Sequence, residues 1–321
     1  MIAYLARRLG FLLLSFVLAM LAIFVLLRLL PGDPANALLS IDATPEQIAA
    51  AQEQVGSNLP IWQQLVVWMG DVLRLDLGES FIGGTEVLPE IVQRLGVTIP
   101  LTIIAFTLSL VVASVVGYFA ATRAHTRLGV LLSGMSQLGI AVPVFWIGIL
   151  LVWILALQLR LFPSGGFPRD DWADPADALR SLTLPVLTIV AVMSASLARY
   201  VRSATLDVLD SDYLRFARAL GAGRGEAFLK HGLRNASVPV ISILGIELAS
   251  TLLGAVVVES VFTLPGLGSM LTQGIEQHDY PRIQGVLLVT TFFVLVIGFL
   301  ADVVQRLVDP RLRTTLSGAD A

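Results

Sequence analysis

Residues 128–159 contain no charged side chain. About 20 predominantly apolar residues are enough to cross a hydrocarbon core of about 30 Å as a helix, so this run alone commits the chain to a bilayer. Five further segments qualify or nearly qualify: 9–27, 97–122, 181–198, 236–258 and 283–301. With 56% apolar and 14% charged residues, the chain falls outside the soluble globular range and inside the integral membrane range. The expected fold class is an all-α integral membrane protein with six transmembrane helices. The run at 128–159 exceeds what one straight helix needs, and it holds Gly139 and Pro143, which predicts a tilt, a kink or a break. Residues 1–30 resemble a secretory signal, with Arg7 and Arg8 ahead of an apolar run. No small-residue cleavage site follows, so the segment reads as an anchor that stays in the protein.

Six spans put both termini on one side. Arg7, Arg8, Arg123, Arg127, Arg199, Arg202, Arg215, Arg218, Arg224, Lys230, Arg234, Arg306, Arg311 and Arg313 share that side, fourteen basic residues in all. Arg28, Arg74, Arg94, Arg160, Arg169, Arg180 and Arg282 take the other, which is also rich in acid, with Asp170, Asp171, Asp174 and Asp177. The side with more arginine is the cytoplasmic one, so both termini are expected in the cytoplasm. The organisation that follows has an N-terminal span at 1–30 and an external segment with amphipathic helices at 31–94. A five-helix membrane domain occupies 95–305, with a cytoplasmic loop at 202–235, and a cytoplasmic tail runs over 306–321.

The external segment is too polar to span. Thr44-Pro45-Glu46-Gln47 predicts a helix start, with Thr44 as cap, Pro45 at the first helical position and Gln47 closing a capping box. Ile61, Leu65, Met69 and Val72 recur at helical spacing with Trp62 and Trp68 nearby. That pattern reads equally as a helix lying on the outer membrane surface and as a helix packed on the spans.

Catalytic signals are missing. No Gly-x-x-x-x-Gly-Lys-Ser/Thr phosphate cradle occurs, so the chain has no nucleotide motor of its own. His125, His231 and His278 are far apart, no His-Glu-x-x-His occurs, and there is no cysteine, which leaves no metal-ligand set. Gly-x-Ser-x-Gly is absent as well. The chain is expected to be no enzyme, to hold no cofactor and to bind no nucleic acid; its surroundings are membrane lipid. Glu247 is the one ionisable group squarely inside a span.

Between the fourth and fifth spans lies Tyr213-Leu-Arg-Phe-Ala-Arg-Ala-Leu-Gly221, continuing through Arg224, Lys230 and Arg234. Ala217 and Ala219 are small enough for a helix to enter a groove closely. Gly221 can take a left-handed conformation and turn the chain after that helix. Arg218, Arg224 and Lys230 can pair with acidic residues of a partner. The alternative is an amphipathic loop helix resting on anionic headgroups.

Motifs elsewhere decide between these. Pro31-Gly32-Asp33-Pro34 follows the first span, and Val142-Pro143-Val144-Phe145-Trp146-Ile147-Gly148 lies in the third. Glu259-Ser-Val-Phe262, Pro265-Gly266-Leu267-Gly268 and Asp279-Tyr280-Pro281 separate the last two spans, and Asp309-Pro310-Arg311 ends the last. In this order the chain resembles the permease subunits of bacterial ABC importers of the dipeptide/oligopeptide/nickel branch, dipeptide permease B-like. The resemblance implies a type I importer permease fold in the bacterial cytoplasmic membrane. It implies a second, related permease chain, two ATPase subunits that bind ATP and Mg, and an extracytoplasmic substrate-binding protein. It makes Ala217, Arg218, Ala219, Gly221 and Arg224 the candidate ATPase-coupling loop. Arg215 and Phe216 depart from the family pattern, which has Glu and Ala there, and Arg234 stands where it often has Pro.

Glu247, Glu259 and Pro143 are the candidates for a translocation path or gate. Glu247 reads as a path residue or as a hydrogen-bonded group joining helices. Glu259 reads as a gate or as an interfacial charge, and Pro143 as a hinge or a static kink. The competing function is an ion-gradient-driven carrier that uses Glu247.

Overall fold

A computed structural model describes residues 2–29, 35, 38 and 43–308. Their helices are α1 (Ile2–Leu29), α2 (Pro45–Val55), α3 (Ile61–Leu73), α4 (Val87–Thr122), α5 (Arg127–Ala141), α6 (Val144–Leu151), α7 (Pro175–Leu209), α8 (Asp212–Ala219), α9 (Arg224–Ala227), α10 (Leu233–Val261), α11 (Leu267–Gln277) and α12 (Tyr280–Val308). Two π-helical turns, Val152–Gln158 and Phe228–Gly232, extend α6 and join α9 to α10. Among the described residues, the only extended pairing is an isolated bridge between Glu79 and Glu86. The motifs at Pro31-Gly32-Asp33-Pro34 and Asp309-Pro310-Arg311 lie outside the described residues.

Five helices are each long and apolar enough to cross a membrane: α1, α4, α7, the run from α9 through α10, and α12. The expected irregularity of the third apolar stretch is a full break. Its two halves, α5 and α6 with its π turn, meet at an angle of 103°, and counted as one span they make the sixth crossing. The cause is local. Pro143 has no N–H to donate and disfavours helical geometry in the residue before it, and Val142 is accordingly extended at φ −90° and ψ 128°.

The chain divides into two compact units. The first comprises Met1–Thr98 with Thr263–Val296. In it α2 begins with the expected reciprocal capping box: the Gln47 N–H donates to the Thr44 hydroxyl, and the Thr44 N–H donates to the Gln47 side chain at 2.9 Å. Helix α3 turns Trp68, Met69 and Val72 onto Met20 of α1 and Leu288 of α12, so part of its apolar face packs on those two helices. Ile61 and Trp62 remain exposed. Gly285 brings α12 so close to Val87 and Ile91 of α4 that a Cβ there would lie 2.7 Å from the Val87 side chain.

The second unit comprises Ile99–Phe262 with Ile297–Ala321. Helix α7 is its centre and packs against α5, α6 and α10. Small residues permit these approaches, as is common where helices meet in lipid. Gly139 of α5 faces the Ala195 methyl of α7, and Gly117 of α4 faces the Ala198 carbonyl. Gly148 of α6 lies against the Phe262 ring at the end of α10, with a built Cβ only 3.2 Å away, so the motifs at 142–148 and 259–262 meet in one packed site.

Candidate functional site

The stretch between α7 and α10 folds into an elbow. Helix α8 starts after Ser211, with Asp212 in its first turn and Arg218 in its last, charges that suit the helix dipole. It ends in paired reverse bonds: the Ala222 N–H donates to the Ala217 carbonyl and the Gly221 N–H to the Arg218 carbonyl. This closure requires a left-handed residue after the cap, and Gly221 supplies it at φ 98°. Nothing lies within 4 Å of a Cβ built at Gly221, so the turn stands in open space.

The elbow has two faces. Inward, Leu214 packs with Val208 of α7, Ala227, Phe228 and Ala236, and half-buried Ala217 and Ala222 lie against that cluster. Tyr118, near the end of α4, joins it through its ring, 5.0 Å from that of Phe228. The Asn235 amide donates to the Tyr213 hydroxyl at 3.1 Å and ties α8 to the start of α10. Outward, Arg218, Ala219, Gly221 and Arg224 are exposed beside Phe216 and Leu220, which show 67% and 74% of their surface. Lys230 lies 2.7 Å from Glu226. Both side chains are exposed, so the pair adds little to stability.

The path candidates are spread through the second unit. Glu247, half-buried in α10, accepts a 3.0 Å hydrogen bond from the Ser196 hydroxyl of α7. Nearby, Gln305 of α12 donates to Ser242 of α10 at 3.1 Å, and Gly245 abuts Ala301. Glu259 is fully buried near the end of α10, unlike a charge resting among headgroups. Pro143 is exposed at the α5–α6 break. These three residues are not brought together into one cluster, whereas the five elbow residues all fall within 217–224.

Sequence reasoning passed over Tyr118, Phe228 and Gly232. Tyr118 sits in an apolar run where nothing sets it apart from residues facing lipid. Gly232 faces Phe228, Val208 and Leu214 at 2.9, 2.9 and 3.2 Å from a built Cβ. That close approach has no local sequence signature beyond the glycine itself.

Residues 113–314 match the family described as binding-protein-dependent transport system inner membrane component, and residues 1–102 match the N-terminal component of such systems. A probable peptide ABC transporter permease protein of Sinorhizobium fredii is 38% identical over 92% of this chain and 95% of its own length. The dipeptide transport system permease protein DppB of Alkalihalophilus pseudofirmus is 32% identical over 98% of this chain and 100% of its own. The oligopeptide transport system permease protein AppB of Bacillus subtilis is 35% identical over 90% and 92%. Among solved structures, a chain of the inward-facing MetNI methionine ABC transporter superposes with a TM-score of 0.57 at 20% identity, covering 68% of this chain and 96% of that one. At that identity the likeness concerns the fold alone.

Proposed function

The chain belongs to the family of binding-protein-dependent transport system inner membrane components, and from that we propose that it carries peptides or related small solutes inward. It is the permease subunit of an ATP-driven ABC importer, a multi-pass protein of the bacterial inner membrane and not itself an enzyme. The family implies ATPase subunits, a substrate-binding protein and a second permease as partners. Likeness to peptide permeases along more than nine-tenths of the chain favours this reading over an ion-gradient carrier. That likeness is the observation that carries the proposal.

The finer assignments are proposals on the same footing. Two ATPase subunits bind ATP and Mg on the cytoplasmic side and dock on the elbow through Ala217, Arg218, Ala219, Gly221 and Arg224. Support comes from the outward face of α8, where Phe216 and Leu220 offer apolar surface flanked by arginines. Such a face suits a groove with an apolar floor and acidic rim. With the bent pair counted as one crossing, the excess of basic residues on the terminal side supports a cytoplasmic position for the elbow and both termini. The binding protein delivers cargo to the opposite side. Glu247, Glu259 and Pro143 are the proposed path or gate residues.

The test is reconstitution in vesicles with a second permease, the ATPases and the binding protein. Uptake of a labelled dipeptide should require ATP and every partner. Accumulation of the peptide by this chain alone, on an ion gradient, overturns the reading.

A further inference from the structure

The elbow continues directly from α7, on whose Val208 its Leu214 packs, and reaches its two other neighbouring spans in unlike ways. Toward α10 the chain passes through the π-helical turn Phe228–Gly232, a rare geometry that often marks a functional site. Toward α4 there is no covalent link nearby, and the Tyr118 ring rests at 5.0 Å and 46° on the ring of Phe228. Phe228 itself is 3% exposed. Val208 and Leu214 share its buried cluster, and a Cβ built at Gly232 would lie 2.9 Å from the Phe228 ring, 2.9 Å from Val208 and 3.2 Å from Leu214. Phe228 is therefore fixed to the elbow, and Tyr118 is fixed to α4.

We infer that Phe228 and Tyr118 are a positioning pair that makes the end of α4 travel with the elbow. This rests on the reading of the elbow as the ATPase-docking site. A push on α8 that reached α10 only through the under-wound turn could bend the chain there and leave α10 and α4 unmoved. The ring contact gives the same push a second route, into the 36-residue helix α4. Packed cores switch between discrete arrangements instead of deforming smoothly, so a buried aromatic contact can carry such a displacement. In this arrangement α4 and α10 respond together, and the pair sets how much transport each ATP yields without touching cargo or nucleotide.

The experiment uses the assembled importer and reads peptide taken up per ATP hydrolysed. Phe228→Ala and Tyr118→Ala should each lower that ratio about fivefold, which corresponds to a ring–ring contact of about 1 kcal/mol at about 1.4 kcal/mol per tenfold, with the ATPases still bound. Tyr118→Phe keeps the ring and should keep the ratio. The chain has no cysteine, so Tyr118→Cys with Phe228→Cys adds the only thiols in this chain. That variant should be uncoupled when reduced and recover when a short dithiol-reactive bridge joins the two positions, an effect that mere space-filling does not predict. An unchanged ratio in an assembled Phe228→Ala importer overturns the inference, as does a bridge that blocks uptake. Should Phe228→Ala fail to assemble, an unchanged ratio in Tyr118→Ala has the same force. Failure of the ATPases to co-purify with the unaltered chain overturns the docking reading itself, a separate and distinguishable result.

Discussion

The carboxylate of Asp279 accepts a 2.5 Å hydrogen bond from the hydroxyl of Ser80 while fully buried. The Phe81 N–H donates to its other oxygen at 3.1 Å, and Arg282 lies 3.4 Å away. Arg282 also pairs with Glu90, which pairs with Arg94, which reaches Ser269 at 3.2 Å. The motif residue thus anchors a chain of charges joining the loop at 80–81, α4, α11 and α12 within the first unit. Truncating one member of a buried, hydrogen-bonded ion pair costs about 3–5 kcal/mol, because the partners stay buried without it. Asp279→Ala should lower the thermal unfolding midpoint of the detergent-solubilised protein sharply, and Asp279→Asn less, since an acceptor oxygen remains. Equal midpoints for Asp279→Ala and the unaltered chain would remove the anchoring role.

Gly245 of α10 faces the methyl group of Ala301 in α12 too closely for any side chain. Overpacking a well-filled contact costs about 1–3 kcal/mol. Gly245→Ala should reduce the amount of folded protein recovered, and adding Ala301→Gly should restore much of it. A double-mutant cycle measures this coupling. Additive effects would place the two residues out of contact.

At the elbow, substitutions at Gly221 and Ala217 act differently. Gly221→Val meets no neighbouring atom, so its cost is confined to the backbone, about 1–3 kcal/mol for a side chain held at positive φ. Ala217→Asp brings a carboxylate against the Leu214–Phe228 cluster and should open the inward face. Both variants should insert normally and lose ATPase co-purification, Ala217→Asp the more completely. Retention of the ATPases by both would detach this surface from docking.

Much of this was legible because it is local. Charge-free runs announced the long helices, Thr44 to Gln47 announced the start of α2, and Gly221 announced its own turn. Pro143 signalled an irregularity, but a tilt, a kink and a full 103° break share the same local signature. Glu259 illustrates the same limit. Its place at the end of an apolar run suggested an interfacial charge, whereas burial is decided by neighbours distant in sequence. The division into two units was equally out of reach, since its boundaries at Thr98 and Val296 fall inside continuous helices.

Glu247 offers the sharpest separation between an ATP-driven importer and an ion-driven carrier. Its Oε1 accepts the Ser196 hydroxyl at 3.0 Å and so links α10 to α7. Glutamine keeps an acceptor oxygen there and removes the charge and the site for a coupling proton or sodium ion. If the partner ATPases supply the energy, the Glu247→Gln importer should still accumulate peptide in an ATP-dependent way, any loss of rate reporting the carboxylate's place on the path. Glu247→Leu deletes the acceptor as well and leaves the half-buried Ser196 hydroxyl without this bond, a loss of about 1 kcal/mol, so that variant should unfold at lower temperature while any uptake it supports still follows ATP. A carrier that couples through this carboxylate predicts the reverse: uptake abolished by Gln, with stability nearly intact. Measuring uptake and the unfolding midpoint on the same three preparations therefore tells an energetic role for the carboxylate from a helix-joining one.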